Sequence, residues 1–268
     1  MYPYELIKNT NVNLYGVMTA LGILACFGVL FLYGKKIGND SRFTDFVFYT
    51  AIISIGIGYV FASLFQSFYN YLENPENGFQ FGKGITFIGG LIGGAGTFLI
   101  VFNLFKKYAH GPITNILSLA PCCIVIAHAF GRLGCLFAGC CHGDYLGNEP
   151  VLGGIYMKGS VNGFTKWGYF VPIQLYEALF LFALFAIMSI LLLKFKFKHN
   201  LSVYFICYGI FRFIIEFFRT DNRGKFIGSL SPSQFWSIVM VVLGVGVYFI
   251  VNYLHKKQRL KGSENEET

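Results

Sequence analysis

Seven long apolar segments constrain the fold of this chain more than any other feature of the sequence. A transmembrane helix needs about 20 consecutive and mostly apolar residues, and in hydrocarbon it must satisfy its own backbone hydrogen bonds. Such segments lie at residues 13–33, 46–68, 85–105, 113–131, 171–193, 201–218 and 232–254. The sequence therefore predicts an all-α integral membrane protein with about seven transmembrane helices, in one domain over residues 1–258.

The composition agrees with a membrane protein and argues against nucleic-acid binding. Hydrophobic residues make up 55% of the chain and charged residues 13%, whereas a soluble domain carries about 25% charged residues. The formal net charge is +8, but the basic residues stand in short clusters between the apolar segments. This arrangement is typical of the cytoplasmic loops of a membrane protein, so the lipid bilayer is an expected partner and nucleic acid is not.

The basic residues also predict the orientation of the chain. They concentrate after the first, third and fifth segments and in the tail, at residues 35–42, 106–107, 194–198 and 256–261. Because Lys and Arg favour the cytoplasmic side, the N-terminus is expected outside and the C-terminus in the cytoplasm. The long connection at 132–170 is then a small extracytoplasmic cap, and residues 259–268 form a disordered cytoplasmic tail.

The stretch HAFGRLGCLFAGCCHG, at residues 128–143, indicates a polar site at the end of the fourth segment. An arginine at the edge of hydrocarbon is costly unless it meets an anion or another partner, and glycines let a backbone approach a ligand closely. The candidate residues in this stretch are Gly131, Arg132, Gly134, Cys135, Cys140, Cys141, His142 and Gly143.

Charged and polar residues in two other segments are further candidates. Arg212, Glu216 and Arg219 recur at about one helical turn, so they share a helix face. They form either a buried ion pair that pins helices together or a site whose surplus positive charge suits a phosphate. Gln174 and Glu177, also one turn apart, face either a polar interior or the backbone and lipid headgroups near the membrane surface.

The cysteines allow several interpretations. The chain has no C-x-x-C pair and no second histidine at zinc-like spacing, so we expect neither a metal nor a cofactor. Cys135, Cys140 and Cys141 remain candidates for a disulfide, for a thiolate activated by Arg132, or for simple apolar packing.

Five motifs together resemble the prolipoprotein diacylglyceryl transferase family, in order and across nearly the whole chain. They are NLYGVM, ITFIGGLIGG, GRLGCLFAGCCHG, VPIQLYE and YGIFRFIIEFFR. The resemblance implies seven helices in the bacterial cytoplasmic (plasma) membrane with an outward N-terminus. It also implies an enzyme that transfers the diacylglyceryl group of phosphatidylglycerol to the thiol of a prolipoprotein lipobox cysteine and releases glycerol 1-phosphate.

The resemblance also assigns roles to residues. Arg132 matches the signature arginine, Arg212 and Glu216 match an R-x-x-x-E motif, and Tyr15 and Gly143 match a YG pair and the closing glycine of the signature. Without the resemblance, Tyr15 would be interpreted as an aromatic residue at the membrane–water interface. The implied catalytic residues are Arg132, Arg212, Glu216, Tyr15, His142, Cys140 and Cys141. The implied substrate-binding residues are Gly89, Gly90, Gly131, Gly134, Cys135, Gly143, Gln174, Glu177 and Arg219.

The sequence departs from the family pattern on the side that would activate the acceptor. The family motif H-G-G-L is Ile88-Gly89-Gly90-Leu91 here, so the family's candidate general base is absent. His142, or a thiolate at Cys140 or Cys141, is the candidate replacement. Two alternatives stay open: a transferase with the same lipid donor and another acceptor, and a non-catalytic lipid-binding or transport protein on the same scaffold.

Overall fold

The structure is a computed structural model that describes residues 13–82, 84, 86–161, 164–219 and 230–266. Helices account for most of it. The α-helices are α1 (Leu14–Lys36), α2 (Ser41–Glu73), α3 (Phe87–Leu104), α4 (Thr114–Ala138), α5 (Ile173–Leu193), α6 (Asn200–Ile215) and α7 (Pro232–Glu266). Single 3₁₀ turns lie at Pro75–Asn77, Lys106–Tyr108 and Glu216–Phe218.

Each predicted apolar segment coincides with one of these helices. Within the described part of the chain, six helices are long and apolar enough to cross a membrane, and α3 is the shorter exception. Large apolar side chains such as Tyr59 and Phe249 are exposed on the outside of the helices, which is the arrangement expected where the surrounding solvent is hydrocarbon rather than water. The prediction of an all-α integral membrane protein is therefore confirmed.

The helix α7 extends further than the predicted span. It continues to Glu266, whereas the sequence predicts a disordered tail over residues 259–268. Lys, Gln, Arg and Leu follow the span at residues 256–261, and all four are good helix formers. Disorder of this tail in solution stays a prediction.

The chain divides into two compact units, of which the smaller covers residues 34–113. Its helices α2 and α3 approach each other closely because glycines face one another. A methyl group added at Gly58 would lie 3.1 Å from backbone atoms of both Gly90 and Gly94, and one at Gly89 would lie 2.8 Å from the carbonyl oxygen of Phe61. Small residues at such positions let membrane helices pack backbone to backbone.

The larger unit contains residues 1–33 and 114–268, and its most buried helix is α4. Leu119, Val125 and Ala129 of α4 are fully buried. The side chain of Asn200, the first residue of α6, donates hydrogen bonds to the carbonyl oxygens of Ser118 in α4 and Met188 in α5, at 3.1 and 3.2 Å. These bonds fix three helices to one another at the end remote from residues 128–143.

The predicted cap segment contains a small antiparallel sheet that the sequence analysis did not predict. Its strands are β1 (Tyr145–Gly147), β2 (Ile155–Val161) and β3 (Phe164–Phe170), in the order β1-β3-β2. In β2 and β3, Ile155 pairs with Phe170 and Val161 with Phe164. A methyl group at Gly168 would lie 2.4 Å from the Tyr145 ring, so the close approach of β1 and β3 requires a glycine there.

Candidate functional site

An ion pair between α4 and α5 lies at the centre of the candidate site. Arg132 Nη2 lies 3.0 Å from Glu177 Oε1. Glu177 is 1% exposed and Arg132 19% exposed. The hydroxyl of Tyr208, on α6, donates to the same Glu177 oxygen at 2.6 Å and lies 3.4 Å from Arg132 Nη2. Three helices thus contribute to one buried polar network, in which Arg132 Nε has no hydrogen-bond partner among the described residues.

A second buried ion pair lies at the end of α6. Arg212 Nη2 is 2.8 Å from Glu216 Oε2, and Arg219 Nε is 3.9 Å from the same oxygen. At the start of α7, Ser233 accepts a hydrogen bond from Arg212 at 3.1 Å, and the Ser231 hydroxyl donates to Glu216 Oε1 at 3.0 Å. The ion pair of Arg212 and Glu216 is therefore buried, and the role of these residues in phosphate binding stays a prediction.

The two ion pairs lie on the same face of α6. Tyr208, which contacts Glu177, and Arg212 are four residues apart, and residues at that spacing are neighbours on a helix surface. Three arginines, Arg132, Arg212 and Arg219, stand against two glutamates in this region. Arg219 also lies beside Cys141, so this face of α6 leads from the two ion pairs toward the turn after α4.

The sequence analysis missed three aromatic or imidazole side chains of this network. His128 Nδ1 lies 3.1 Å from the Tyr204 hydroxyl, and the His128 ring packs against the Tyr208 ring with centroids 4.8 Å apart. Spacing could have found them, because His128 stands four residues before Arg132, and Tyr204 and Tyr208 stand eight and four residues before Arg212. Polar side chains at one-turn intervals in an apolar helix mark a shared interior face.

A tight turn after α4 brings three cysteines together; we call Cys135, Cys140 and Cys141 the thiol cluster. Gly139 and Cys141 have positive φ angles of 69° and 63°, so the chain folds back over the last turn of α4. The three Sγ atoms lie within 4.8 Å of one another, and none of the three cysteines forms a disulfide in the structure. The Gln174 side chain donates a hydrogen bond to the Cys140 carbonyl oxygen, which joins this turn to α5.

The electrostatic surroundings of the cluster are asymmetric. Hydrogen bonds from the Cys135 and Cys140 thiols, followed by the nearby guanidinium of Arg219, lower the pKa of the Cys141 thiol well below its ordinary value. The hydrogen bonds to Cys135 and Cys141 raise the pKa of Cys140.

His142 faces the sheet of the cap. Its Nδ1 atom lies 2.9 Å from the Gly143 carbonyl oxygen, and its ring packs on Phe170 with centroids 4.3 Å apart. A methyl group at Gly159 in β2 would lie 2.6 Å from His142 Nε2. Gly143 itself is tightly enclosed, because a methyl group there would lie 2.9 Å from the Phe218 carbonyl oxygen.

Tyr15 packs beside the same turn of α4. Tyr15 is the second residue of α1, and a methyl group on Gly134 would lie 3.1 Å from its ring. Its hydroxyl is close enough to the thiol cluster to interact electrostatically with all three cysteines. No atom of the described residues would lie within 4 Å of a methyl group at Gly131, so they give no packing reason for that glycine.

The larger unit brings together most of the sequence-predicted residues. The exceptions are Gly89 and Gly90, which belong to the smaller unit and pack α3 against α2. The side chain of Ile88 lies outside the described residues.

Comparison with known proteins assigns the family. The family profile of prolipoprotein diacylglyceryl transferase matches residues 4–250. The chain is similar to a phosphatidylglycerol--prolipoprotein diacylglyceryl transferase of Clostridium tetani, with 33% identity over 245 residues, which cover 88% of this chain and 92% of the relative. A similar enzyme of Clostridium perfringens is 33% identical over 255 residues, 91% of this chain and 93% of the relative.

A more distant relative shows the same coverage. The phosphatidylglycerol--prolipoprotein diacylglyceryl transferase of Staphylococcus xylosus is 28% identical over 255 residues, 94% of this chain and 89% of the relative. The resemblance seen in five motifs thus extends through the helices that carry the two ion pairs. The chain belongs to the prolipoprotein diacylglyceryl transferase family.

Proposed function

We propose that this protein transfers the diacylglyceryl group of phosphatidylglycerol to the thiol of a lipobox cysteine in a prolipoprotein and releases glycerol 1-phosphate. The relatives are named for this reaction, and this chain matches them over nearly their whole length. The observation that carries the proposal is the pair of buried guanidinium groups of Arg132 and Arg212, each of which has one nitrogen without a hydrogen-bond partner among the described residues.

The arginines bind the phosphodiester of the donor lipid. A guanidinium offers planar donors that match phosphate oxygens, and each of two arginines keeps a donor free for this role. Arg132 Nε and Arg212 Nη1 are buried without a hydrogen-bond partner among the described residues. The carboxylates of Glu177 and Glu216 hold the Nη2 atoms of the same guanidinium groups, so the arginines are positioned before the lipid arrives.

The same arginines stabilise the leaving group. The acceptor sulfur attacks the glyceryl carbon that bears the phosphate, a C–S bond forms, and the C–O bond to the phosphate breaks. The electron pair of that bond leaves with glycerol 1-phosphate, whose phosphate therefore gains negative charge in the transition state. Fixed cations at the position of developing charge are among the largest contributions to catalysis.

We assign the activation of the acceptor thiol to the thiol cluster rather than to His142. His142 is buried against the cap sheet, and its Nδ1 contacts a backbone carbonyl, so it serves to position the turn. Cys140 is exposed, and the pKa of Cys141 is lowered, so this cluster combines access with a thiol that loses its proton readily. Tyr15 lies at its edge.

The protein is a multi-pass bacterial membrane protein, and we place its active site toward the outer leaflet. The basic loops at residues 35–36, 106–107 and 194–198 support a cytoplasmic position for the opposite ends of the helices. This orientation gives an outward N-terminus and a cytoplasmic C-terminus. The lipid-binding role of Gly89, Gly90, Gly131 and Gly134 stays a prediction.

The decisive experiment combines purified protein, labelled phosphatidylglycerol and a lipobox peptide in lipid vesicles. We expect a thioether-linked peptide and released glycerol phosphate in equal amounts. The matched controls are a peptide with serine in place of the lipobox cysteine and the variant Arg132→Ala, neither of which should yield product. Release of glycerol phosphate without a thioether would refute the thiol acceptor, and the absence of both products would refute the transferase.

A further inference from the structure

The geometry of the thiol cluster fits a metal ion. Among the described residues, Cys135, Cys140 and Cys141 form the one group of three metal-ligating side chains, with all Sγ atoms within 4.8 Å. Zn²⁺ binds thiolates at about 2.3 Å, so in a tetrahedral site two sulfurs stand roughly 3.8 Å apart. The cluster therefore needs side-chain shifts of about 1 Å or less to enclose the ion.

The backbone holds the cluster in place before any ion binds. A methyl group at Gly139 would lie 2.1 Å from the Lys158 carbonyl oxygen, so the turn is pressed against the cap and requires glycine. The Cys140 N–H donates to the Cys135 carbonyl oxygen at 3.2 Å. Cys141 adopts a positive φ of 63°, which is uncommon for a residue with a side chain. Strained backbone of this kind concentrates at functional sites.

The cluster leaves a fourth coordination position open. His142, the nearest histidine in sequence, contacts Gly143 and Phe170 and is not a member of the group. Within the described residues no fourth His, Cys, Asp or Glu joins the three thiols, and Cys140 is exposed. Catalytic zinc sites have three protein ligands and an open position, whereas structural sites have four.

The charge of such a site suits its surroundings. Zn²⁺ with three thiolates carries a net charge of −1. Arg132 lies one turn before Cys135 on α4, and Arg219 lies beside Cys141. These guanidinium groups offset the negative charge. A fourth thiol would complete a tetrahedral set of four sulfur ligands, which Zn²⁺ prefers.

We propose that Cys135, Cys140 and Cys141 bind a zinc ion whose open position takes the acceptor thiol. This inference rests on the proposed function. A thiol that coordinates zinc is deprotonated, and its proton passes to solvent. The bound thiolate then attacks the glyceryl carbon, and the zinc ion is neither oxidised nor reduced. The metal would thereby supply the activation that the resemblance assigns to the histidine of the H-G-G-L motif, which is Ile88 here.

The first test measures binding without turnover. Purified protein is reduced, stripped with a chelator and titrated with Zn²⁺, and with Co²⁺ as a spectroscopic probe of thiolate ligation. We expect one Zn²⁺ per chain and a sulfur-to-cobalt charge-transfer band. Cys140→Ser, at the exposed position, should weaken Zn²⁺ binding at least 10-fold while the thermal unfolding midpoint is kept. The control Cys26→Ser, in α1, should bind Zn²⁺ as the parent protein does.

The second test asks whether the zinc activates the acceptor. Chelation should reduce thioether formation at least 10-fold, and added Zn²⁺ should restore it. Thioether formation by protein that binds no Zn²⁺ would overturn the inference and leave the proposed function standing. Zinc binding with chelator-insensitive thioether formation would overturn the activating role. If neither the zinc-loaded nor the zinc-free protein forms thioether, the proposed function is wrong, and so is the role of zinc in activating the acceptor thiol. The Zn²⁺ titration still shows whether the three cysteines bind the metal.

Discussion

Arg132 on α4 and Glu177 on α5 are joined by a buried ion pair, with Arg132 Nη2 3.0 Å from Glu177 Oε1. Because Tyr208 on α6 donates to the same carboxylate oxygen, this carboxylate is the point at which three helices meet. Its removal would leave Arg132 in a low-dielectric environment without its counter-charge.

We therefore expect Glu177→Gln to destabilise the protein by on the order of 3 kcal/mol, the scale for losing one partner of a buried pair. The measurement is thermal unfolding in detergent. Asp40→Asn is the matched control, because its pair with Arg42 is 3.9 Å long and exposed, at 42% and 70%, and Asn still caps α2. The control should lose less than about 1 kcal/mol, and equal losses in both variants would contradict the structural role of Glu177.

Substitution of the arginines by lysine tests their contact with phosphate. Arg132→Lys and Arg212→Lys keep the positive charge but lose the planar fork of donors, so turnover of labelled phosphatidylglycerol should fall at least 10-fold while the protein still folds. Arg42→Lys, at an exposed position, should leave turnover unchanged. Full turnover in both active-site variants would show that the arginines act only as structural cations.

The hydroxyl of Tyr208 has a role that Tyr204 does not share. Tyr208 contacts both Glu177 and Arg132, whereas the Tyr204 hydroxyl contacts His128. Tyr208→Phe should therefore lower turnover at least 10-fold, since the carboxylate that holds Arg132 loses a hydrogen bond of 2.6 Å. Tyr204→Phe should lower it several-fold less. A larger effect of Tyr204→Phe on steady-state turnover would assign the dominant role to His128.

The turn that brings the thiol cluster together leaves no room for a methyl group at Gly139. Gly139 and Gly38 both have positive φ angles, 69° and 80°, but only at Gly139 would a methyl group collide, at 2.1 Å from the Lys158 carbonyl oxygen. Gly38→Ala should cost about 1 kcal/mol of unfolding free energy through its backbone conformation alone. Gly139→Ala should cost clearly more, as measured by thermal unfolding, and equal costs would place the turn away from the cap.

Reporter fusions test the orientation of the chain. Fusions after Lys36, Lys107 and Lys198 should report a cytoplasmic position, and fusions after Asn77 and Gly153 an external one, because basic loops stay in the cytoplasm. A cytoplasmic signal at Gly153 would place the cap and the thiol cluster on the wrong side for the proposed acceptor.

The helices and the charged site residues could be predicted from the sequence for a simple physical reason. The bilayer imposes one length on every spanning helix, and a charge within such a helix is too costly to stand without a role. Arg132, Arg212, Glu216 and Glu177 were found in this way. Which arginine pairs with which glutamate could not be found, because the Arg132–Glu177 pair depends on the packing of α4 against α5.

The cap and the thiol cluster show where the sequence analysis ends. β2 and β3 are short and contain glycines, so the sequence shows no clear alternation of apolar and polar residues there. The segment is therefore interpreted as a connection. The spacing of Cys135, Cys140 and Cys141 matches no metal motif, and their proximity arises from the positive φ angles of Gly139 and Cys141. Glycine permits a positive φ without requiring it, and cysteine rarely adopts one, so the turn could not be predicted from residue types.

Two backbone hydrogen bonds join the turn after α4 to the residues that lead into α5, and they affect which substitutions this enzyme can accept. Gly143 N–H donates to the Val171 carbonyl oxygen at 2.9 Å, and Val171 N–H donates to the Asp144 carbonyl oxygen at 3.0 Å. These two bonds fasten the chain just after the thiol cluster to the chain just before Glu177, and they involve no side chain. Side chains in the turn after α4 can therefore be replaced one at a time without loss of the backbone hydrogen bonds that hold this turn beside the start of α5.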